Sequence, residues 1–319
     1  MYNEVEMPFD YTNFTWRYAD SGYYWDYKIK VDDLFHEGNY SSPFLIARPK
    51  LTSYIPTIPF KGSPELFTLF AELPVGDDEE SLKAIVNFTN QYGLITAGLL
   101  MDTSHINNGI SNYSTTFYGL SLDFYLSQIW AMKNIFRIWN WIQEKNSSML
   151  SKMITWTNDD NIQYLFGEPE NLDLFNSTGI KYDANGNCLT DLKGYIAPRR
   201  QRLFDISNHK IFTDLVKDDY LFVAQLIVQK TINQKLDKFP IKHCLLMDKT
   251  RKLKQFFVPS DLLSCMWFQF LQVVTGERKI KQCLYCNKWE NVTDKYSSWK
   301  YHQKCGTYAR VKKHREQLK

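Results

Sequence analysis

No run of apolar residues in this chain is long enough to cross a membrane. The longest, residues 262–274, is interrupted by Gln269 and Gln272 and falls short of the roughly 20 residues that a spanning helix needs. The first 33 residues lack a basic start, an apolar stretch and a small-residue cleavage site; Glu4, Glu6 and Asp10 stand there among many tyrosines. No secretion signal is legible, and the expectation is a soluble, cytoplasmic protein without a membrane partner. Catalytic signatures are missing too. There is no Gly-x-Ser-x-Gly, no Gly-x4-Gly-Lys-Ser/Thr phosphate loop, no dinucleotide-binding glycine pattern and no His-Glu-x2-His. A non-enzymatic role is therefore favoured over catalysis. No internal repeat is visible.

What is present is enough to build a core. The chain has 319 residues, 44% hydrophobic and 16% aromatic, which excludes disorder over most of its length and allows two domains. Its six cysteines divide unevenly. Cys188, Cys244 and Cys265 are scattered, whereas the other three crowd the C-terminus beside His302. In a reducing compartment such close pairs are more often metal ligands than disulfides. Charge divides unevenly as well. From Glu277 onward there are 12 Lys or Arg against 4 Asp or Glu, a net +8, while the remaining residues hold 26 against 31, a net −5. The formal charge of +3 thus hides a basic tail on an acidic body.

Hydrophobic spacing predicts a predominantly helical α+β main domain over residues 1–276. Residues 25–31 alternate as a strand. Helical patterns start after Ser63-Pro64, with Leu66, Phe67, Leu69 and Phe70, and again from Asp77, stopping at Tyr92-Gly93. Ser121 is the predicted N-cap of the longest helix, 122 to about 145, whose Leu126, Ile129, Met132, Phe136 and Trp139 form a core stripe. A further helix is expected over 218–238, ended by Pro240, then a hairpin from strands 241–247 and 253–258. Asp261 opens an apolar helix over 262–274 that Gly276 closes; being apolar nearly all round, it should be buried. The domain boundary is expected at 276–280, with a metal module over 277–319.

That module carries the strongest signal. Cys283-Leu-Tyr-Cys286 is followed, after fifteen residues, by His302-Gln-Lys-Cys305. A Cys-x2-Cys turn aims two sulfurs at one point, and a second close pair completes a tetrahedron, so one structural zinc ion is expected on Cys283, Cys286, His302 and Cys305. Four protein ligands leave no open position for a reacting water, which argues against a catalytic ion. A tail with so little core needs its metal in order to fold. Strands over 287–292 and 296–301 and a helix over about 304–317 would give a treble-clef-like order. His314, well inside that helix, fits a solvated face better than the metal. Lys300, Lys304, Arg310, Lys312, Lys313 and Arg315 cluster on or beside the helix and are the candidate phosphate contacts.

Over about residues 280–316, Cys283-x2-Cys286 with Cys305-Gly306-Thr-Tyr-Ala309-Arg-Val-Lys312-Lys-His-Arg315 resembles the CGNR-type zinc finger of bacterial proteins described as stress-induced transcription regulators. The resemblance implies a helical N-terminal domain and a C-terminal finger that binds DNA; residues 82–94, ending in Tyr92-Gly-Leu94, weakly resemble that helical domain. Three departures stand out. His302 replaces a cysteine, which preserves zinc chemistry; the last pair is spaced by two residues rather than three; and Cys305-Gly306 is followed by Thr307-Tyr308 rather than Asn-Arg.

Other patterns have plainer readings. Asp183-x-Asn185-x-Asn187 begins like a calcium loop, but its twelfth position is Gly194 rather than Glu, so Asn185-Gly186 reads as a turn. Arg199-Arg200-x-Arg202 reads as a surface loop. Trp130, Trp139, Trp141 and Trp267, at helical spacing, read as core. The function expected from the sequence is a DNA-binding regulator, with DNA favoured over RNA. The rival is a non-enzymatic interaction protein whose zinc module caps the main domain and whose charge meets RNA, a ribosome or another protein, self-association included. Exposed tail cations would favour the first, and Trp289 and Trp299 packed on the main domain the second.

Overall fold

The computed structural model describes residues 16–19, 22–26, 43–47, 54–57, 65–96, 99–102, 116–156, 161–165, 200–205, 219–247, 251–293, 295–296 and 298–317. In chain order these give strands β1 (Trp16–Ala19), β2 (Tyr23–Asp26), β3 (Phe44–Ala47) and β4 (Tyr54–Thr57), then helices α1 (Leu66–Ala71) and α2 (Glu79–Tyr92). Next come β5 (Leu99–Asp102), β6 (Thr116–Ser121), α3 (Leu122–Gln143), α4 (Ser147–Met153), β7 (Ile154–Trp156), β8 (Asn161–Leu165) and β9 (Arg200–Asp205). The C-terminal part contains α5 (Tyr220–Lys238), β10 (Ile241–Met247), β11 (Leu253–Pro259), α6 (Leu262–Val274), β12 (Ile280–Gln282), β13 (Trp289–Asn291) and α7 (Gln303–Gln317). The chain is therefore α+β. Among the described residues its strands form small antiparallel groups: β1–β4, β2–β3–β6–β5, β7–β8–β9, β10–β11 and β12–β13.

Helix ends fall where side chains replace missing backbone partners. Asp78, Ser121, Asp219 and Asp261 each accept a hydrogen bond from the N–H three residues on, and Asp261 forms a capping box with Ser264. Gly93 (φ 91°) ends α2, and Gly276 (φ 81°) follows α6; both lie in the left-handed region that glycine enters without strain. The short α1 has no cap of its own. Gln269 of α6, fully buried and 202 residues away, accepts the Phe67 N–H at 3.3 Å through its Oε1.

The core sits around α3 and α6. Helix α3 packs against α1, α4 and α5, and α6 packs against α1 and α5. Phe67, Phe136 and Phe270 meet at ring-centroid separations of 5.4–6.2 Å, with Trp267 6.3 Å from Phe270. Lys235 of α5 reaches into this region. Its Nζ donates to Gln128 Oε1 at 2.7 Å and lies 5.6 Å from the Trp267 ring centroid, and burial pushes its ammonium pKa down to about 8.

Several expectations change. The strand expected over 25–31 appears as β2, ending at Asp26; residues 27–31 lie outside the described residues, as do the turn at 183–187 and Gly194. Arg200 and Arg202, expected on a surface loop, lie on β9, where Arg202 pairs with Gln163. The second strand of the tail, expected over 296–301, is absent among the described residues. Residues 298–301 turn, with the Trp299 N–H on the Tyr296 carbonyl at 2.9 Å. The partner of β13 is instead β12, on the other side of the first cysteine pair. No helix among the described residues is long and apolar enough to cross a membrane.

Candidate metal centre

The first cysteine pair forms the turn of the β12–β13 hairpin. Gln282 pairs with Trp289, the Cys283 N–H donates to the Lys288 carbonyl at 2.9 Å, and the Asn287 N–H returns to the Cys283 carbonyl at 2.9 Å. Asn287 takes a left-handed φ of 57°, which asparagine tolerates better than most residues, and the Gln282 side-chain amide fastens its carbonyl at 2.7 Å. The second pair begins α7. The Gly306 N–H donates to the His302 carbonyl at 2.9 Å, closing the first helical turn and placing Cys305 inside it. The two parts are tied by the Leu284 N–H on the Lys300 carbonyl at 3.0 Å.

As a result the ligand atoms of Cys283, Cys286, His302 and Cys305 lie within 4.8 Å of one another, close enough to hold a metal ion. His302 Nδ1 is 3.3 Å from Cys286 Sγ. Zinc bonds of about 2.3 Å to sulfur and 2.0–2.1 Å to nitrogen set tetrahedral ligand atoms roughly 3.5–3.8 Å apart, so the cluster needs only a small contraction. Cys283, Cys286 and Cys305 are free of disulfides. His314, exposed on α7, is not one of the cluster.

Two of the thiols are shifted in opposite directions. Burial pushes the Cys283 thiol up, but backbone N–H groups of Cys286, Tyr285 and His302 outweigh it and bring the pKa down to about 6. Cys305 is pushed up to about 11 by burial, by its hydrogen bonds to Cys286 and Cys283 and by their negative charge. Cys283 thus ionises readily, and negative charge beside Cys305 opposes its ionisation. A divalent ion overcomes that opposition, because coordination deprotonates a thiol outright.

A second layer fixes the imidazole. Glu290 Oε2 lies 3.0 Å from His302 Nε2, leaving Nδ1 directed to the cluster, and the other Glu290 oxygen pairs with Lys295. Such a carboxylate sets the tautomer and raises ligand basicity. Lys295 Nζ is 5.6 Å from the Trp299 ring centroid, and that ring stands edge-on to His302 at 5.4 Å and 80°. The roles of Glu290, Lys295 and Trp299 carried no spacing signal in the sequence, since only the fold brings them to the histidine.

The hairpin also packs against the core around α3 and α6. Trp289 meets Phe136 at 4.8 Å and 65°, Ile280 packs against the same core, and Val292 is buried with its N–H on the Lys279 carbonyl at 2.7 Å. Of the two tryptophans in question, Trp289 therefore docks on that core, while Trp299 stands beside His302. Burial raises the carboxyl pKa of nearby Glu65, helped by the charge of Glu290 and opposed by Arg278 and Lys295.

The candidate phosphate contacts reach solvent. Lys300, Lys304, Arg310, Lys312 and Arg315 are exposed; the side chain of Lys313 lies outside the described residues. Arg310 Nε donates back to the Gly306 carbonyl at 3.2 Å, so one of these cations also braces the helix. Compared with models of protein families, with curated proteins and with solved structures, the chain matches none.

Proposed function

We propose that this chain is a nucleic-acid-binding regulatory protein in which one structural zinc ion, held by Cys283, Cys286, His302 and Cys305, presents a cationic helix to phosphates. The donor set supports zinc, since three thiolates and an imidazole suit a borderline-soft ion that accepts a closed tetrahedral shell. The sequence of cysteine turn, strand and metal-capped helix supports a treble-clef-like module. The observation that carries the reading is the exposure of Lys300, Lys304, Arg310, Lys312 and Arg315, while Trp289 and Ile280 of the same module face the core. DNA is the favoured polymer and regulation the favoured role, because the 280–316 segment resembles fingers of DNA-binding regulators.

A few phosphate contacts from one module give a nonspecific Kd on the order of 10⁻⁴ to 10⁻⁶ M at physiological salt. The test is fluorescence anisotropy of duplex DNA and single-stranded RNA with the full, zinc-loaded chain across a salt series. Replacing Lys304, Lys312 and Arg315 by Gln should weaken binding and flatten the salt slope by about 0.9 per lost DNA phosphate contact. An unchanged slope, or no binding at low salt, would overturn the reading. Docking of Trp289 supports a second one, in which the module is a cap and the cations meet an acidic protein. That reading requires zinc-dependent stability of the main domain without nucleic-acid affinity.

A further inference from the structure

Two exposed tyrosines of the metal module lie nearly parallel and are not part of the core. Tyr285 sits inside the Cys-x2-Cys turn and Tyr308 on α7, three residues past Cys305; their rings are 6.0 Å apart at 21°. Tyr308 is 59% exposed and Tyr285 43%, and Leu284 and Val311 are exposed nearby in sequence. Each ring is fixed by a ligand two or three residues away at most, so the metal cluster that organises the module also aligns the pair.

The cations are arranged around this pair. Lys304, Tyr308, Lys312 and Arg315 recur at helical spacing, so α7 alternates charge, ring and charge along one stripe. The exposed Lys300 is tied to the same turn through its backbone, its carbonyl accepting the N–H of Leu284 next to Tyr285. A solubilising helix has no use for two exposed aromatic planes, and an acidic peptide would engage the ammonium groups without them. A nucleic-acid backbone can meet the lysines while its bases meet the rings. In a duplex the base faces are already stacked on one another, so only an unpaired strand offers both.

We infer that Tyr285 and Tyr308 form a stacking platform for unpaired bases, flanked by Lys304 and Lys312 as phosphate contacts, so that the module binds single-stranded nucleic acid more tightly than duplex. The inference rests on the nucleic-acid reading and deepens it by naming the form of the polymer. Base–aromatic stacking is tolerant of sequence, since every base has a π-face. The platform therefore selects strand form rather than base order.

The test compares oligo-dT, oligo-U and a dA·dT duplex on the full, zinc-loaded chain, with Tyr308→Leu, Tyr285→Leu and the Lys304→Gln/Lys312→Gln pair. Leu keeps an apolar contact and removes the plane. The tyrosine variants should bind single strands roughly 5- to 100-fold more weakly, with duplex affinity and zinc content unchanged. The lysine pair should weaken both forms and lower the salt slope. A loss of either homopolymer affinity that spares the duplex supports the platform, and a difference between them shows which sugar it accepts. Because Tyr285→Leu could disturb the cysteine turn, photocrosslinking 5-iodouracil strands to the unaltered chain gives an independent readout, with adducts expected on Tyr285 or Tyr308. Equal losses for duplex and single strand, or adducts only elsewhere, would overturn the platform while leaving nucleic-acid binding in place. Absence of any binding to the unaltered chain would remove both.

Discussion

Helices α6 and α7 lie within 30 residues of each other in sequence and are held in opposite ways. In α6, Leu262, Leu263, Cys265, Met266, Trp267, Phe270 and Val273 are buried, and the helix is stabilised by removing apolar surface from water. In α7 no described side chain is buried, and the sequence is dominated by cations. A 15-residue helix of that kind is marginal alone. What holds it is attachment at its N-terminus, through His302, Cys305 and the turn between them. The difference shows that a helix kept free on nearly all sides, and so available to a partner, needs an anchor that occupies only one end.

The sharpest way to break the contrast is to take the anchor away. Structural zinc in small fingers binds with about 10–16 kcal/mol of apparent free energy, all of it coupled to folding. Chelation, or Cys283→Ser, should therefore unfold α7 and lower the far-UV helical signal, while the α3–α6 core keeps its near-UV spectrum. One zinc per chain is expected by elemental analysis. An unchanged spectrum in the metal-free protein would show that α7 stands without its anchor.

The converse change, Trp267→Ala, attacks the burial that holds α6. It should cost about 3–5 kcal/mol in denaturant unfolding while zinc content stays at one per chain in the folded protein. A cost under 1 kcal/mol would mean that the site is not packed as described.

The same indole sits beside Lys235, which gives a pH test confined to the core. The folded-state pKa of Lys235 is lowered by burial to about 8, below its unfolded value, so the unfolded chain binds more protons between these two values. The contribution is thus destabilising at neutral pH and is relieved as pH rises from about 8 to about 10.4, by up to roughly 3 kcal/mol. Stability should rise across that window in the natural chain and lose that rise in Lys235→Met.

Glu290→Gln tests the anchor more gently. Removing the carboxylate charge that faces His302 Nε2 should lower zinc affinity about 10- to 100-fold, read by competition with a chelator, with little effect on core stability at saturating zinc. The smallest effect belongs to the joint between the two regions. A double-mutant cycle of Phe136→Leu and Trp289→Leu should give a coupling of about 0.5–1.5 kcal/mol. A coupling near zero would mean that hairpin and core are energetically separate despite ring contact.

Much of the helical framework could be read from sequence because its signals are local. Ser121 and Asp261 cap within three residues, Gly93 and Gly276 close helices they adjoin, and the β10–β11 hairpin joins neighbouring runs. The four side chains that could share a metal were legible for the same reason, as each pair is spaced by two residues. The sheet order β2–β3–β6–β5 was not, because Leu45 and Leu120 pair across a separation that no periodicity encodes. Nor was the β12–β13 pairing. Residues 296–301 alternate well enough for a strand, but the cysteine turn brings 280–282 to β13 first, and Trp289 gains the core by that arrangement.

The sequence by itself thus determined where the longer helices begin and end, which four side chains can share a metal and where the positive charge lies. Only the tertiary structure decided that Glu290 would face His302, that Trp289 would turn inward while Trp299 stayed with the cluster, and that Tyr285 and Tyr308 would lie parallel. Caps and ligand pairs act across one turn of backbone, where chain geometry leaves few alternatives. Contacts across longer separations exist only after the chain has closed, when packing selects one arrangement among many that the same residues allow.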